Sequence, residues 1–513
     1  MKQQPNIILL VADQLQARSV AAYGDGSMQT PAIDALAQAG ARFESAYCQS
    51  PLCMPSRSSF NTGMYPHACG VLHNPVVLHQ RFQTLAEILG TAGYRTGGFG
   101  HLGGDGLERG FDEKVDLVDP PIRDAYLREQ RAVRSLGSSH SSALCGAHPF
   151  PEEEVQDTVA TELALDFIDR ASSPFYLQLR FMDPHIPLLV PQRFVDLYEL
   201  DDVPLPPTWR DELAGKPANV AGTRRATRTE NIPEAALRDA IRHYRAATSY
   251  VDALVGRILD RIEPLARETV VIFIADHGDY AGEFGMVGKT GNFYDCLTRV
   301  PWIMRGPESL VSPGSVIDGP VGLVDIVPTV CELCEIEAPR AVQGTSRAGD
   351  LVGRPARLPA GRCSGRYAFA ATRGHVGPGE DAVPTEGGWP EERLQPLPTD
   401  PYSSGPVSHV YDGTMVRSER HKLSVYGDGL MELYDLQDDP WETRNLASLP
   451  EHQSTLAPLL SALTRWQMET WPLETPQSPL PYHYRATAAD LIPETFREAH
   501  GAWQAETGIR DPE

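Results

Sequence analysis

Two short runs of the 513-residue chain, Asn6 to Ala12 (NIILLVA) and Thr269 to Ala275 (TVVIFIA), are almost continuously apolar. A strand with one solvated face alternates polar and apolar residues. A run without alternation reads as a strand buried on both faces, the pattern of a parallel sheet covered by helices. Each run ends in Ala-Asp, at Asp13 and Asp276. In open α/β sheets ligands gather beyond the carboxyl ends of the strands, so these two distant carboxylates are expected to meet at one site.

Helical periodicity over 31–40, 84–92, 155–171 and 233–261, and a further strand at 174–182 (PFYLQLRFM) that ends at Asp183-Pro184-His185, predict alternating strands and helices. The expected fold class is therefore α/β, a large mixed, mostly parallel sheet sandwiched by helices, over residues 1–370. From 371 to 408 the chain turns rich in Pro, Gly and Glu and reads as a long connection or lid. Beyond it, TMVRSERHKLSVYG and MELYDL read as two strands around the turn Asp428-Gly429, followed by a Trp-bearing helix near 456–470. Residues 371–513 are thus expected to form a linker plus a small C-terminal α+β domain with an antiparallel sheet, and the tail from Pro476 an arm of a homo-oligomer.

Hydrophobic content of 41% and charged content of 22% belong to a folded chain. The net charge of -23 argues against nucleic acid or an anionic membrane as partner. If the substrate is an anion, a few local cations must reverse that field. Eight irregularly spaced cysteines make no disulfide framework, and the single C-x-x-C, Cys331 to Cys334, lies in a helix-like run where core packing is expected. The N-terminal apolar run reaches Asp13 too soon for a signal peptide or membrane span, so a cytoplasmic protein is expected.

The chemistry concentrates in Cys53-Met54-Pro55-Ser56-Arg57. Pro55 suits the first turn of a helix, and Arg57 lies four residues after Cys53, so both can face one site. A nucleophile there feels the positive end of the helix and a guanidinium, a good place to receive an oxyanion. Read alone, the pentapeptide also fits a buried cysteine ahead of a helix cap. Asp13-Gln14 and Asp276-His277 offer two carboxylates, a carboxamide and an imidazole at strand ends, a donor set for a divalent cation. Lys289, in GKTGNFYDCLTRVPWI, and His185, in DPHIPL, are each compatible with a solvated loop or with the site.

Taken in order, NIILLVADQ, TPAIDALAQAGARFESAYCQSPLCMPSRSSFNTGMYPH, DPHIP, HYRAATSYVDALVGRIL, FIADHGDYAGEFGMVGK, YDCLTRVPWI, GLVDIVPTVCEL and LYDLQDDPWETRNLA resemble the sulfatase family of the alkaline phosphatase superfamily. The resemblance implies an alkaline-phosphatase-like fold and a cysteine, Cys53, oxidised after synthesis to formylglycine by a formylglycine-generating enzyme. The hydrated aldehyde would attack sulfur or phosphorus through one hydroxyl, acidified by the cation, and expel the anion when the other hydroxyl loses its proton. Asp13, Gln14, Asp276, His277 and the modified Cys53 would bind the cation. Calcium is the first expectation for so oxygen-rich a set, with manganese or magnesium as alternatives. Arg57 would hold the diol, and His185 and Lys289 would contact the transferred group and the leaving oxygen, one of them as general acid.

The pattern breaks at one point. Many sulfatases carry G-K-x-H after a Gly-Tyr-Arg-Thr strand, whereas here GYRTGGFG runs directly into His101, with no lysine. Relatives that cleave phosphonate monoesters and phosphodiesters also lack that pair and use Gln and His in the metal site. A choline-sulfatase pattern fits less well, since its G-K-M-H-F run is absent. His101, His73 and Asn74 are candidate substrate contacts, and 118–150 and 371–408 are loops where a leaving-group pocket is expected. The expected function is hydrolysis of a small-molecule sulfate ester. The alternatives are a phosphonate monoester or phosphodiester hydrolase, and a non-catalytic binding protein with a relic site.

Overall fold

The two apolar runs are adjacent parallel strands at the centre of an eight-stranded sheet, and every residue of both is buried. The computed structural model describes residues 4–24, 26–74, 76–103, 106–136, 145–226, 229–354, 367–372 and 412–470. In chain order the strands are β1 (Asn6–Ala12), β2 (Ala41–Tyr47), β3 (Arg95–Gly100), β4 (Glu113–Asp116), β5 (Cys145–Ala147), β6 (Phe175–Phe181), β7 (Leu188–Val190), β8 (Thr269–Ala275), β9 (Trp302–Arg305), β10 (Ser315–Gly322), β11 (Ala368–Thr372), β12 (Gly413–Arg417), β13 (His421–Tyr426) and β14 (Met431–Asp435). The large sheet is ordered β10-β2-β9-β8-β1-β6-β3-β4. Only β9 runs against its neighbours, so the sheet is mixed and mostly parallel.

The helices form where their apolar spacing allows them to cover this sheet. Thr84 caps the helix Leu85–Thr91 with a reciprocal Thr84–Glu87 capping box. The helices Gln156–Arg170 and Glu234–Ile262 each turn a buried stripe inward. Asp252, on the second of these, accepts from the free N–H groups of Ala32 and Ile33 at 3.2 and 2.8 Å, so a tertiary carboxylate caps the helix Pro31–Gln38. Cys331 and Cys334 lie in the core, where burial pushes their thiols up to about 11 and about 12. Among the described residues no helix is long and apolar enough to cross a membrane.

A smaller four-stranded antiparallel sheet, β11-β12-β13-β14, packs under the helix Gln453–Thr470, with Trp466 stacked on Phe369 at 4.9 Å between ring centroids. The run TMVRSERHKLSVYG, expected as one strand, is two. Ser418 Oγ accepts from His421 N at 3.0 Å and closes a turn between β12 and β13. Ala371 and Thr372, expected to open the connection, instead end β11, and 373–408 and the tail from Pro476 lie outside the described residues. The stretch 118–150, expected as a loop, holds the helix Ile122–Leu136, because Ile122, Ala125 and Glu129 recur at helical spacing and bury one face.

At Gly100 the end of β3 meets β6 so closely that a Cβ would lie 2.0 Å from the Arg180 carbonyl oxygen, and φ there is +96°. Gly100→Ala is expected to cost about 2–3 kcal/mol and to disturb the next residue, His101. A lower urea midpoint checks this. A variant as stable as the parent would mean that the two strands do not approach this closely.

Candidate active site

β1 and β8 pair in register with Ala12 opposite Ala275, so the next residues, Asp13 and Asp276, leave the sheet side by side. The ladder runs one step past the strands, with Asp13 N donating to Phe181 O and Asp276 N to Ala12 O, each at 3.2 Å. β6, on the other flank of β1, delivers Asp183 and His185 to the same edge, and β3 delivers His101. The sheet's carboxyl edge thus gathers residues separated by more than 250 positions.

Cys53 opens the helix Cys53–Thr62, all ten of whose residues are buried. Leu52 is extended there and gives no side-chain cap. Asn74, itself exposed, supplies one from outside, its Oδ1 accepting from Met54 N at 3.2 Å, and the half-buried His73 precedes it. One helical turn on, Arg57 forks across both carboxylates, with Nε on Asp276 Oδ2 at 2.9 Å and Nη2 on Asp13 Oδ2 at 2.5 Å. Ser56 Oγ donates to the Asp276 carbonyl and ties the helix to β8.

Lys289 is buried, its ammonium 3.0 Å from Cys53 Sγ and 2.7 Å from Gln14 Oε1. A solvated loop lysine is thereby ruled out. His277 Nε2 meets Cys53 Sγ at 3.3 Å. His101 Nδ1 lies 3.6 Å from Asp13 Oδ2 and 3.4 Å from the Arg57 guanidinium. Burial and Asp13 push the Cys53 thiol up, but Lys289, His277 and His185 outweigh them and hold it well below the usual thiol range. Burial alone would raise Asp13, yet Arg57, His185, Lys289 and His101 keep its carboxyl well below the ordinary value. In a chain of net charge -23, the Arg57 and Lys289 charges thus converge on this edge.

The donor set fits a divalent cation. Arg57 takes the Oδ2 atom of each carboxylate and leaves both Oδ1 atoms turned to His277 Nε2, at 3.5 Å for Asp13 and 3.6 Å for Asp276. Ligand atoms of Asp13, Cys53, Asp276 and His277 all lie within 4.8 Å of one another. Gln14, held at φ 70°, offers Oε1 on the side of Lys289 and Cys53. Two carboxylate oxygens, a carboxamide oxygen and one imidazole are ligands for calcium, magnesium or manganese.

Three residues of this edge escape a reading of the sequence. Asp279 receives Gln14 Nε2 at 2.5 Å and the N–H groups of Ala281 and Gly288, and burial pushes it up to about 6. Its signal was available, a third acid three residues after Asp276. Arg180 lies buried beneath Arg57 and donates to the Leu102 carbonyl, and burial together with Arg57 pushes it down to about 9. Asp157 accepts from both Met182 N and Asp183 N at 2.9 Å and so holds the turn that carries His185; burial pushes it up to about 7. A lone Asp early in a helix gives no hint of that partner.

A doubly covered α/β sheet thus carries a cysteine, paired cations and a candidate metal-ligand set at its carboxyl edge. The sulfatase family profile matches residues 5–336, and the chain belongs to that family, within the alkaline phosphatase superfamily, as an enzyme of the sulfuric ester hydrolase class. It is 30% identical to a sulfatase of Formosa agariphila over 65% of this chain and 70% of that one. It is 27% identical to a delta 4,5-hexuronate-2-O-sulfatase of Bacteroides thetaiotaomicron over 89% of this chain and 87% of that one. The phosphonate monoester hydrolase of Agrobacterium radiobacter has the same fold, with a TM-score of 0.73 at 21% identity over 91% of this chain and 96% of that one.

Proposed function

We propose that the chain hydrolyses a small-molecule sulfate ester at a nucleophile made by oxidation of Cys53 to formylglycine, beside one calcium ion. The observation that carries this reading is the convergence of Asp13, Cys53, Asp276 and His277 under the Arg57 fork. When bound, the cation and the hydrated aldehyde supply an acidified hydroxyl nucleophile. In this chain the Sγ of Cys53 stands in for the aldehyde-hydrate oxygens. Arg57 and Lys289 then bracket that position, and their fixed charges stabilise the negative charge that builds on the transferred group. His185 and His101, on the more open side, are placed to hold the ester and to return a proton to the leaving oxygen. Asp13, Gln14, Asp276 and His277 hold the cation. A sulfated sugar is the substrate class suggested by the hexuronate-2-O-sulfatase among the relatives named above.

A second reading, a phosphonate monoester or phosphodiester hydrolase, draws on His101 standing where many sulfatases have a lysine-histidine pair. The test has two arms, using protein produced with a formylglycine-generating enzyme. Mass spectrometry of the peptide containing Cys53 is expected to show the aldehyde in place of the thiol. With calcium, aryl sulfate is expected to exceed phenyl phosphonate and diester substrates in kcat/KM by about 100-fold or more. A many-fold preference for the phosphorus esters overturns the first reading in favour of the second. Modified, metal-loaded protein that cleaves none of them leaves a binding protein.

A further inference from the structure

Away from the nucleophile, the described residues bring together a second mixed set of ligand atoms. Asp239 and His243 lie one turn apart on the helix Glu234–Ile262 and share a face. β5 lays Cys145 against that face, its Sγ 3.7 Å from Asp239 Oδ2. A His243 ring nitrogen lies within 4.8 Å of the thiol, and its Nδ1 lies 3.4 Å from Asp239 Oδ1 and 2.9 Å from the Asp239 carbonyl oxygen.

One sulfur, one imidazole nitrogen and one carboxylate oxygen make a different donor set from the oxygen-rich one at the sheet edge. Such a set suits zinc, which binds sulfur at about 2.3 Å and nitrogen or oxygen at about 2.0–2.1 Å in a tetrahedron. The edges of that tetrahedron are about 3.3–3.6 Å. The two contacts fall on different oxygens of Asp239, Oδ2 at 3.7 Å from the thiol and Oδ1 at 3.4 Å from the imidazole, and one ligand atom of each residue lies within 4.8 Å of the others, so closing the tetrahedron needs a shift of about 1 Å. His243 is 7% exposed and Asp239 is 40% exposed, so the group has an anchored floor and an open side for a water ligand.

The consequence reaches the nucleophile. β5 pairs with β7, Cys145 opposite Leu188, and β7 starts three residues after His185. The chain runs on from β5 to His148, whose N–H donates to Val190 O at 2.8 Å and whose ring lies 3.3 Å from Glu129 Oε1. Glu129 and His185 line the same small cavity. We propose that Cys145, Asp239 and His243 form a second cation site, of zinc type and structural in role, that pins β5 to the long helix and braces the wall beside His185.

Cobalt(II) reports on such a site, because a thiolate ligand gives it a near-ultraviolet charge-transfer band. The experiment uses chelator-stripped Cys53→Ala protein, so that the nucleophile's own thiol cannot contribute. One equivalent of cobalt is expected to give the band with the visible absorption of a tetrahedral ion, and zinc to displace it. The band is expected to vanish when Cys145→Ser is added, and tight binding to be lost with Asp239→Asn or His243→Ala. No band in folded Cys53→Ala protein overturns the proposal, as does a band unchanged by the second substitution. Should the Cys145→Ser protein not fold, an unchanged band in folded Asp239→Asn or His243→Ala protein overturns it equally.

Discussion

Arg57→Ala is expected to cost the metal-free protein about 3–5 kcal/mol of stability, the scale for breaking a buried ion pair by deleting one partner. Arg57 is 2% exposed, and its fork accounts for one oxygen each of Asp13 and Asp276, which are 1% and 0% exposed. Deleting the guanidinium leaves two buried carboxylates facing Lys289, 3.9 Å from Asp13, and the His277 ring. A divalent cation bound by the two Oδ1 atoms would neutralise the same pair, so millimolar calcium is expected to recover much of the loss. Arg57→Lys keeps a charge but not the fork, and falls between.

The pH dependence carries a definite sign. In the parent, Asp13 is held below its unfolded value, so it contributes stability above that value and loses it as pH falls through the folded one. In Arg57→Ala the largest lowering partner is gone while burial, which raises Asp13, remains. The variant's folded state then binds the extra proton, and its stability falls as pH rises past the unfolded carboxylate value of about 3.9. The gap between the two proteins should widen from pH 4 to pH 7 in chelator. Urea unfolding across that range, with and without calcium, measures it. A deficit indifferent to both pH and calcium would show that Arg57 does not pair these carboxylates.

What could be read from the residues alone, and what could not, follows from how each signal arises. Asp13 and Asp276 were legible because an unbroken apolar run marks a strand buried on both faces, and parallel strands put their carboxyl ends together. Cys53 and Arg57 were legible from helical spacing. Lys289 was not assignable, because a Gly-Lys-Thr-Gly loop looks solvated until the carboxylates that bury it are in place. The same holds for Asp157, whose two backbone partners lie 25 and 26 residues away. The turn at Ser418 was hidden because the residues on either side, TMVR and HKLSVY, suit strands equally and the turn is closed by a backbone bond from Ser418 to His421 and the Ser418 hydroxyl, with no Gly, Pro or Asn to mark it. The helix Ile122–Leu136 was missed because its composition is polar and its apolar signal is thin, with Ile122 and Ala125 the buried apolar residues of its first turns.

Cys53→Ser is expected to abolish turnover, by roughly 10^4 to 10^6-fold, while leaving the first chemical event possible. A serine places one hydroxyl at the same helix terminus, 3.0 Å or so from Lys289 and beside His277 if the rotamer of Cys53 is kept. That hydroxyl can attack the ester under the same Arg57 and Lys289 charges, giving a serine sulfate and the free alcohol. It has no second hydroxyl whose deprotonation could expel the anion, so release would require water to attack a sulfate monoester that bears its own negative charge. Mass spectrometry of Cys53→Ser protein after incubation with an aryl sulfate is expected to show one added sulfuryl group, with a burst of no more than one equivalent of phenol. Cys53→Ala should show neither. Steady turnover by the serine protein would mean that position 53 is not the group that takes the sulfuryl, and that another nucleophile or a bound water does the work.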